Sequence, residues 1–302
     1  MSSILITGAT GLIGKKIVNS LEQRGENVII ATQNFSSAKN LFPNLKNIVP
    51  LNEIDSLSNE RIDGIINLAG TNLGARRWNK NFKKEIYDSR IKTTRNIVSL
   101  IQQMKNKPEV LINASGVDLY GDTGNNEVDE NSPASDTFIA QLVKDWEQEA
   151  MRAQQLNVRV VLIRTGFVIS RESSALAKMV LPFKLFFGGY AGNGRKYFSW
   201  IDIEDVCNVY MFVLDNKNIS GAVNAASPIP VTMKEFSKRL GKVLHRPSII
   251  HVPGFILKIL YGESTSMILT GRKAIPKKLL ESGFKFRYVD VTDSLEKELG
   301  SM

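Results

Sequence analysis

The sequence predicts an α/β protein: a Rossmann-type doubly wound parallel sheet with a smaller mixed C-terminal lobe. Three observations predict it. An apolar run at residues 4–6 breaks into a loop carrying Gly8, Gly11 and Gly14, and helix-compatible sequence follows at once. The first forty residues read strand, helix, strand, the unit that builds parallel sheets. Further strand-length apolar runs then alternate with helix-patterned segments as far as residue 225.

The N-terminal loop carries the clearest chemistry. A buried strand, a tight Gly turn and a helix start form an anion site, because the free N–H groups of the first helical turn point at the ligand. Gly8 permits the turn, Gly11 lets the backbone approach a pyrophosphate, and Gly14 lets helix and strand pack closely. The spacing is G-x-x-G-x-x-G rather than the commoner G-x-G-x-x-G, and no Gly-Lys-Ser/Thr is present to make a P-loop. Residues 15–24 form the first helix, ended by Gly25, and residues 28–31 the second strand. Its tip reads Thr32, Gln33, Asn34. An acid there would hold the ribose hydroxyls of NAD. Its absence favours NADP(H) over NAD(H).

Residues 48–51 are a third strand and 64–68 a fourth, which runs out into Ala69-Gly70. Small residues at that end admit a ligand at the strand C-termini. A helix is expected at 86–104, a fifth strand at 110–113, a helix at 137–155, and a sixth strand at 158–163 leading into Arg164. Residues 175–187 could be a helix over the cleft, kinked or split by Pro182. Residues 206–214 form a helix that returns to the sheet, and 222–225 a last short strand. The boundaries expected are 1–170 for the nucleotide-binding domain, rejoined by 198–230, with 171–197 and 231–302 forming the smaller lobe.

Bulk properties narrow the function. No apolar run is long enough to span a membrane, and no basic region precedes the first apolar run as in a signal peptide. The single cysteine, Cys207, lies in a helical apolar pattern and reads as a small buried hydrophobe. With His245 and His251 the only histidines, neither a metal site nor a His-centred triad is expected. These features point to the cytoplasm. The net charge is +9, but the basic residues are dispersed, so the expected partner is a small molecule, not nucleic acid or a membrane. A homodimer is left open.

Longer motifs identify a family. Thr7-Gly8-Ala9-Thr10-Gly11-Leu12-Ile13-Gly14 and Asn67-Leu68-Ala69-Gly70 resemble the extended short-chain dehydrogenase/reductases, which include the sugar-nucleotide epimerases. Arg77-Trp78, Asp88-Ser89-Arg90, Trp146-Glu147, Arg164-Thr165-Gly166, Ser199-Trp200-Ile201 and Gly271-Arg272 resemble its atypical, epimerase-like subgroup, which has its own C-terminal domain. The resemblance implies a seven-stranded sheet with NADP(H) across its strand ends. The pyrophosphate would lie at Gly11, Leu12 and Ile13, beside Thr10 and Gly14. Thr32, Gln33, Leu68, Ala69 and Gly70 would border the adenosine, while Ala114 would approach the nicotinamide ribose and Arg164 would join the cofactor contacts.

The resemblance thins at the catalytic positions. The superfamily's Tyr-x-x-x-Lys pair would fall on Ile139 and Val143, which transfer no proton. Ser115 is the best hydroxyl in the cleft, and Tyr120 a candidate phenol or a packing aromatic. Asp202 stands where the subgroup commonly has His, and Asp205 reads as a structural anchor. Arg77, Trp78, Lys184, Arg195 and Trp200 could shape a substrate pocket or serve the surface and core. The expected function is an NADP(H)-dependent, epimerase-like oxidoreductase. A sugar-nucleotide epimerase and a non-catalytic NADP(H) sensor are the alternatives.

Overall fold

A computed structural model describes residues 2–300. Seven parallel strands form the central sheet: β1 (Ser3–Thr7), β2 (Asn27–Thr32), β3 (Ile48–Pro50), β4 (Gly64–Asn67), β5 (Val110–Gly116), β6 (Arg159–Thr165) and β7 (Gly221–Ala225). Their order is β7-β6-β5-β4-β1-β2-β3. The order reverses at β1, and the cleft at such a switch point lies beyond the strand C-termini.

Both faces of the sheet are apolar, as helices on both sides require. Ile4 and Ile6 face the layer of α1 (Leu12–Gln23) and α6 (Ile203–Asp215), with Ile17, Val18, Val206 and Tyr210 completing that core. Leu5 between them faces the opposite way, onto Ile97, Val98 and Ile101 of α3 (Lys80–Gln103). Beside α3 on the same face lies α4 (Phe138–Met151), joined to it by the Trp146 indole N–H, which donates to Thr94 Oγ1 at 2.9 Å. Helix α2 (Phe35–Leu41) follows the tip of β2.

The C-terminal lobe has its own core. Phe183 of α5 (Ser174–Lys184), Trp200, Phe236 and Leu240 of α7 (Met233–Val243), and Leu295 of the terminal helix Val291–Leu299 are buried together. A short parallel pair, Gly189–Ala191 with Ile250–Val252, leads into α8 (Gly254–Tyr261). Asp202 and Asp205 tie the lobe to the sheet domain. Asp202 accepts from Ser294 Oγ (2.6 Å) and Lys297 Nζ (2.7 Å), and Asp205 from the backbone N–H groups of Arg287 (2.8 Å) and Tyr288 (2.9 Å).

Several boundaries differ from the sequence expectation for local reasons. β5 runs three residues past Asn113, because its register with β6 continues to Gly116 opposite Thr165. This puts Ser115 on a strand. α3 starts at Lys80 instead of residue 86, because Asn79 Oδ1 accepts from Phe82 N at 2.8 Å and caps it. α5 runs through Pro182 to Lys184 and is not split there. Cys207 is buried, and burial pushes its thiol up to about 12, as befits a packed hydrophobe.

Candidate active site: a glycine cradle and a buried polar network

The cradle between β1 and α1 is shaped by what its glycines lack. Gly8 has φ +71°, and a Cβ there would meet the Leu68 carbonyl carbon at 2.6 Å. A Cβ on Gly14 would lie 2.3 Å from the Gly8 carbonyl oxygen. The loop and the end of β4 can therefore come this close only as glycine backbone. Gly11 is the N-cap of α1, with no side chain to cap the helix and no acid in the first turn. The first turn has no acid of its own to take up its N–H dipoles, the arrangement a pyrophosphate requires. Thr10, Leu12 and Ile13 surround this opening, partly exposed.

Thr32 and Gln33 lie at the tip of β2, which has no carboxylate. Asn34 caps α2, its Oδ1 accepting from Ser37 N at 3.0 Å. Gln33 lines an open cavity of about 750 Å³ with Leu51, Asn52, Thr71, Ser89 and Thr93. Ser115 is not among the residues that line this cavity. Ser89 and Arg90 of α3 hold the segment after β4. Ser89 Oγ accepts from Thr71 N at 3.0 Å, and Arg90 Nη1 donates to the Thr71 carbonyl at 3.1 Å. Burial lowers the Arg90 guanidinium to about 10. Gly70 leaves room for it, since a Cβ there would meet Arg90 Cζ at 3.0 Å.

Asn67 anchors Leu68 and Ala69 from below. Its Oδ1 accepts from Thr7 Oγ1 (2.6 Å) and Ala69 N (3.3 Å), and its Nδ2 donates to Asn113 Oδ1 (2.6 Å) and Thr94 Oγ1 (2.9 Å). One buried side chain thus joins β1, β4, β5 and α3 beneath the strand ends. Ala114 follows Asn113 on β5, its carbonyl accepting from Asn113 Nδ2 at 2.7 Å.

At the ends of β5, β6 and β7 the structure assembles a second network, all of it buried. Ser115 Oγ donates to Glu147 Oε1 at 2.5 Å. Arg164 grips the same carboxylate with two bonds of 2.8 Å, from Nε to Oε1 and from Nη2 to Oε2. Its Nη1 donates to the Tyr120 phenol oxygen at 2.9 Å and the Glu130 carbonyl at 3.1 Å. Burial alone would lower the Arg164 pKa, but the Glu147 carboxylate outweighs burial and raises it, so the guanidinium stays charged. Tyr120 in turn donates to Asn224 Oδ1 at 2.7 Å. Burial pushes the Tyr120 phenol up, against the pull of Arg164 and Asn224.

Ser115 and Tyr120 are therefore brought into one network, with Arg164 between them. Arg164, expected from the sequence to join the cofactor contacts, aims its guanidinium into this network. Ile139, Val143 and Glu147 share one face of α4 at four-residue intervals. The first two are packed among Trp78, Phe82 and Tyr120. The pocket candidates do not converge. Trp78 and Trp200 are core residues whose indole N–H groups donate to the carbonyls of Leu73 (2.9 Å) and Ile229 (3.2 Å). Arg77 lies against Gly262, and Lys184 and Arg195 are exposed on the lobe. Among the described residues, no three His, Cys, Asp or Glu side chains group to hold a metal.

Sequence reasoning missed Glu130, Asn224 and the Arg272–Asp118 pair. Glu130 Oε1 accepts from Asn224 N at 3.0 Å, and Arg272 clamps the C-terminal segment to the turn after β5. A lone acid in a turn-rich loop and an Asn on a late strand carry no local pattern.

Residues 4–226 match the NAD dependent epimerase/dehydratase family, and residues 252–298 match a domain of unknown function, DUF1731. The Arabidopsis thaliana epimerase family protein SDR39U1 homolog, chloroplastic, is 37% identical over 97% of this chain and 85% of its own length. The Bacillus subtilis epimerase family protein YfhF is 36% identical over 98% of this chain and 97% of its own. The crystal structure of human epimerase family protein SDR39U1, solved with NADPH, superposes with a TM-score of 0.91 at 29% identity, over 99% of this chain and all of that one. With its strand order, its glycine cradle and these full-length likenesses, the chain belongs to the NAD dependent epimerase/dehydratase family, in its SDR39U1-like branch.

Proposed function

We propose that this chain binds NADP(H) and acts as an oxidoreductase on a small-molecule substrate. The observation that carries the proposal is the fit of the glycine cradle to a pyrophosphate: three positions where a Cβ would crowd the loop or its neighbours, at an uncapped, acid-free helix N-terminus. The carboxylate-free tip at Thr32 and Gln33 favours the 2′-phosphorylated dinucleotide, in keeping with NADPH in the human relative. Leu68, Ala69 and Gly70 would border the adenosine half and Ala114 the nicotinamide ribose. Once bound, the dinucleotide supplies or takes up a hydride.

Ser115 is the residue that would meet substrate. Its proton is engaged by Glu147, which leaves its oxygen lone pairs as acceptors for a substrate hydroxyl. Arg164 and Tyr120 would act as positioning residues, holding Glu147 and the end of β5. A second reading, a binding protein that senses NADP(H) without turnover, is favoured by the apolar pair Ile139 and Val143. The same pair weighs against sugar-nucleotide epimerisation, which needs a strong base.

Fluorescence titration with NADPH and NADH tests the cofactor assignment; NADPH is expected to bind more tightly, and the reverse order would overturn it. NADPH oxidation across a carbonyl panel tests catalysis. Ser115→Ala is expected to lower turnover about a hundredfold with cofactor affinity unchanged. Tight NADPH binding with no turnover would leave the sensor reading standing.

A further inference from the structure

The lobe exposes an apolar surface that its own fold does not use. Leu185, Phe186 and Phe187, at the end of α5, and Phe255, Ile259 and Leu260, on α8, are each 57–68% exposed. Ile249, just before the strand Ile250–Val252, is 81% exposed. Single exposed hydrophobes need no explanation, but this many large ones on two neighbouring elements do.

They form one surface because α5 and α8 span the same two places. Lys178 of α5 donates to the Gly74 carbonyl at 2.6 Å, and Gly262, just past α8, lies against Arg77. At the other end, the chain leaving α5 enters the strand Gly189–Ala191, which pairs with Ile250–Val252, the strand leading into α8. Both helices thus run between the 74–77 loop and this strand pair, beside the mouth of the cleft.

The segments that carry these side chains are basic, and the acid nearest α8, Glu263, is paired with Lys83. There is no Asp or Glu between Glu172 and Asp202, or between Glu235 and Glu263. Those two stretches carry four and five Lys or Arg, respectively. Lys196 and Arg239 are neutralised by Asp122 and Asp290. Lys242 and Lys258 are exposed, and the Arg246 guanidinium lies 4.6 Å from the centre of the Phe186 ring.

We propose that this face seats the protein on an anionic lipid surface. Exposed Phe, Leu and Ile beside exposed cations, on segments that carry no carboxylate, match the headgroup and acyl boundary of such a bilayer. A second copy fits less well, since it would set one basic face against another on a chain of net charge +9. Nucleic acid would not use so many apolar side chains. Seating of this kind requires no spanning helix, and none of the helices among the described residues is long and apolar enough to cross a membrane. The sequence expectation of no membrane partner rests on span length and dispersed charge, whereas the exposure of these residues appears only in the fold.

Co-sedimentation of the full-length chain with vesicles of phosphatidylcholine, with and without phosphatidylglycerol, tests it. Binding is expected to the anionic vesicles, weakening as salt is raised. The pair Phe187→Ser with Ile259→Ser and the pair Lys242→Glu with Lys258→Glu are each expected to reduce it about tenfold or more, with melting temperature and NADPH affinity unchanged. Failure to bind anionic vesicles at low salt, or binding that both variant pairs leave intact, would overturn it. So would dimerisation lost in the Phe187 and Ile259 variant without vesicle binding, which would assign the face to a second copy.

Discussion

At Gly11 the backbone has φ −77° and ψ 173°, angles open to any L-residue, and the position is a helix N-cap. Glycine is therefore not demanded there by conformation, in contrast to Gly8. An aspartate at Gly11 would accept the first-turn N–H groups that a phosphate would otherwise take, although its Cβ meets the Gly8 carbonyl oxygen at a tight 3.2 Å. Gly11→Asp is expected to leave the melting temperature within a few degrees of the parent and to weaken NADPH at least about a hundredfold, as calorimetry would register. Gln33 offers a complementary test at the other end of the cofactor. Gln33→Asp sets a carboxylate at the acid-free tip, and the ratio of NADPH to NADH affinity is expected to fall about tenfold or more.

At the scale of the element, β5, β6 and α4 are held together by a charge pair that packing has closed off from water. Arg164→Met leaves Glu147 buried without its counter-charge and is expected to cost about 3–5 kcal/mol in urea unfolding. Adding Glu147→Gln is expected to restore much of that loss, a coupling that a double-mutant cycle would measure. This network also shows where sequence reading stops. Strands such as β1 and β2 announce themselves by unbroken apolar runs, and the cradle by three glycines within seven residues. Ser115 and Glu147 could each be singled out, but their bond depends on how α4 is rotated against β5. Ile139 and Val143 were visible as missing acid/base groups, while Glu147 one turn further along the same face became meaningful only in three dimensions. Glu130 and Asn224, 94 residues apart, had no local signal at all. The start of α3 was missed because capping by Asn79 outweighed a weak apolar pattern in its first turns.

Across the whole molecule, the two helices at the core of the lobe are latched to each other by an ion pair at the start of the terminal helix. Asp290 caps that helix, accepting from Thr292 N at 2.7 Å, and accepts from Arg239 of α7 at 2.6 Å. The Arg239 bond holds the Asp290 carboxyl down at about 2 against an ordinary value of 3.8. A carboxyl depressed in the folded state stabilises above its unfolded value, and that stability is lost as pH falls through the folded one. Asp290→Ala is therefore expected to lower stability by about 1 kcal/mol at neutral pH, and the gap to the parent should close between about pH 4 and pH 2 in acid-unfolding curves. The two margins of the sheet have a different consequence. β3 is only three residues long and ends in Pro50, which has no N–H to offer a further strand. On the far margin, Glu130 takes the Asn224 N–H, and Lys278 Nζ donates to the Ser220 carbonyl at 2.8 Å. Neither border is left as a template on which a stray strand from another chain could add. The sheet is thereby guarded against edgewise growth into aggregates, and any self-association is directed to helix faces.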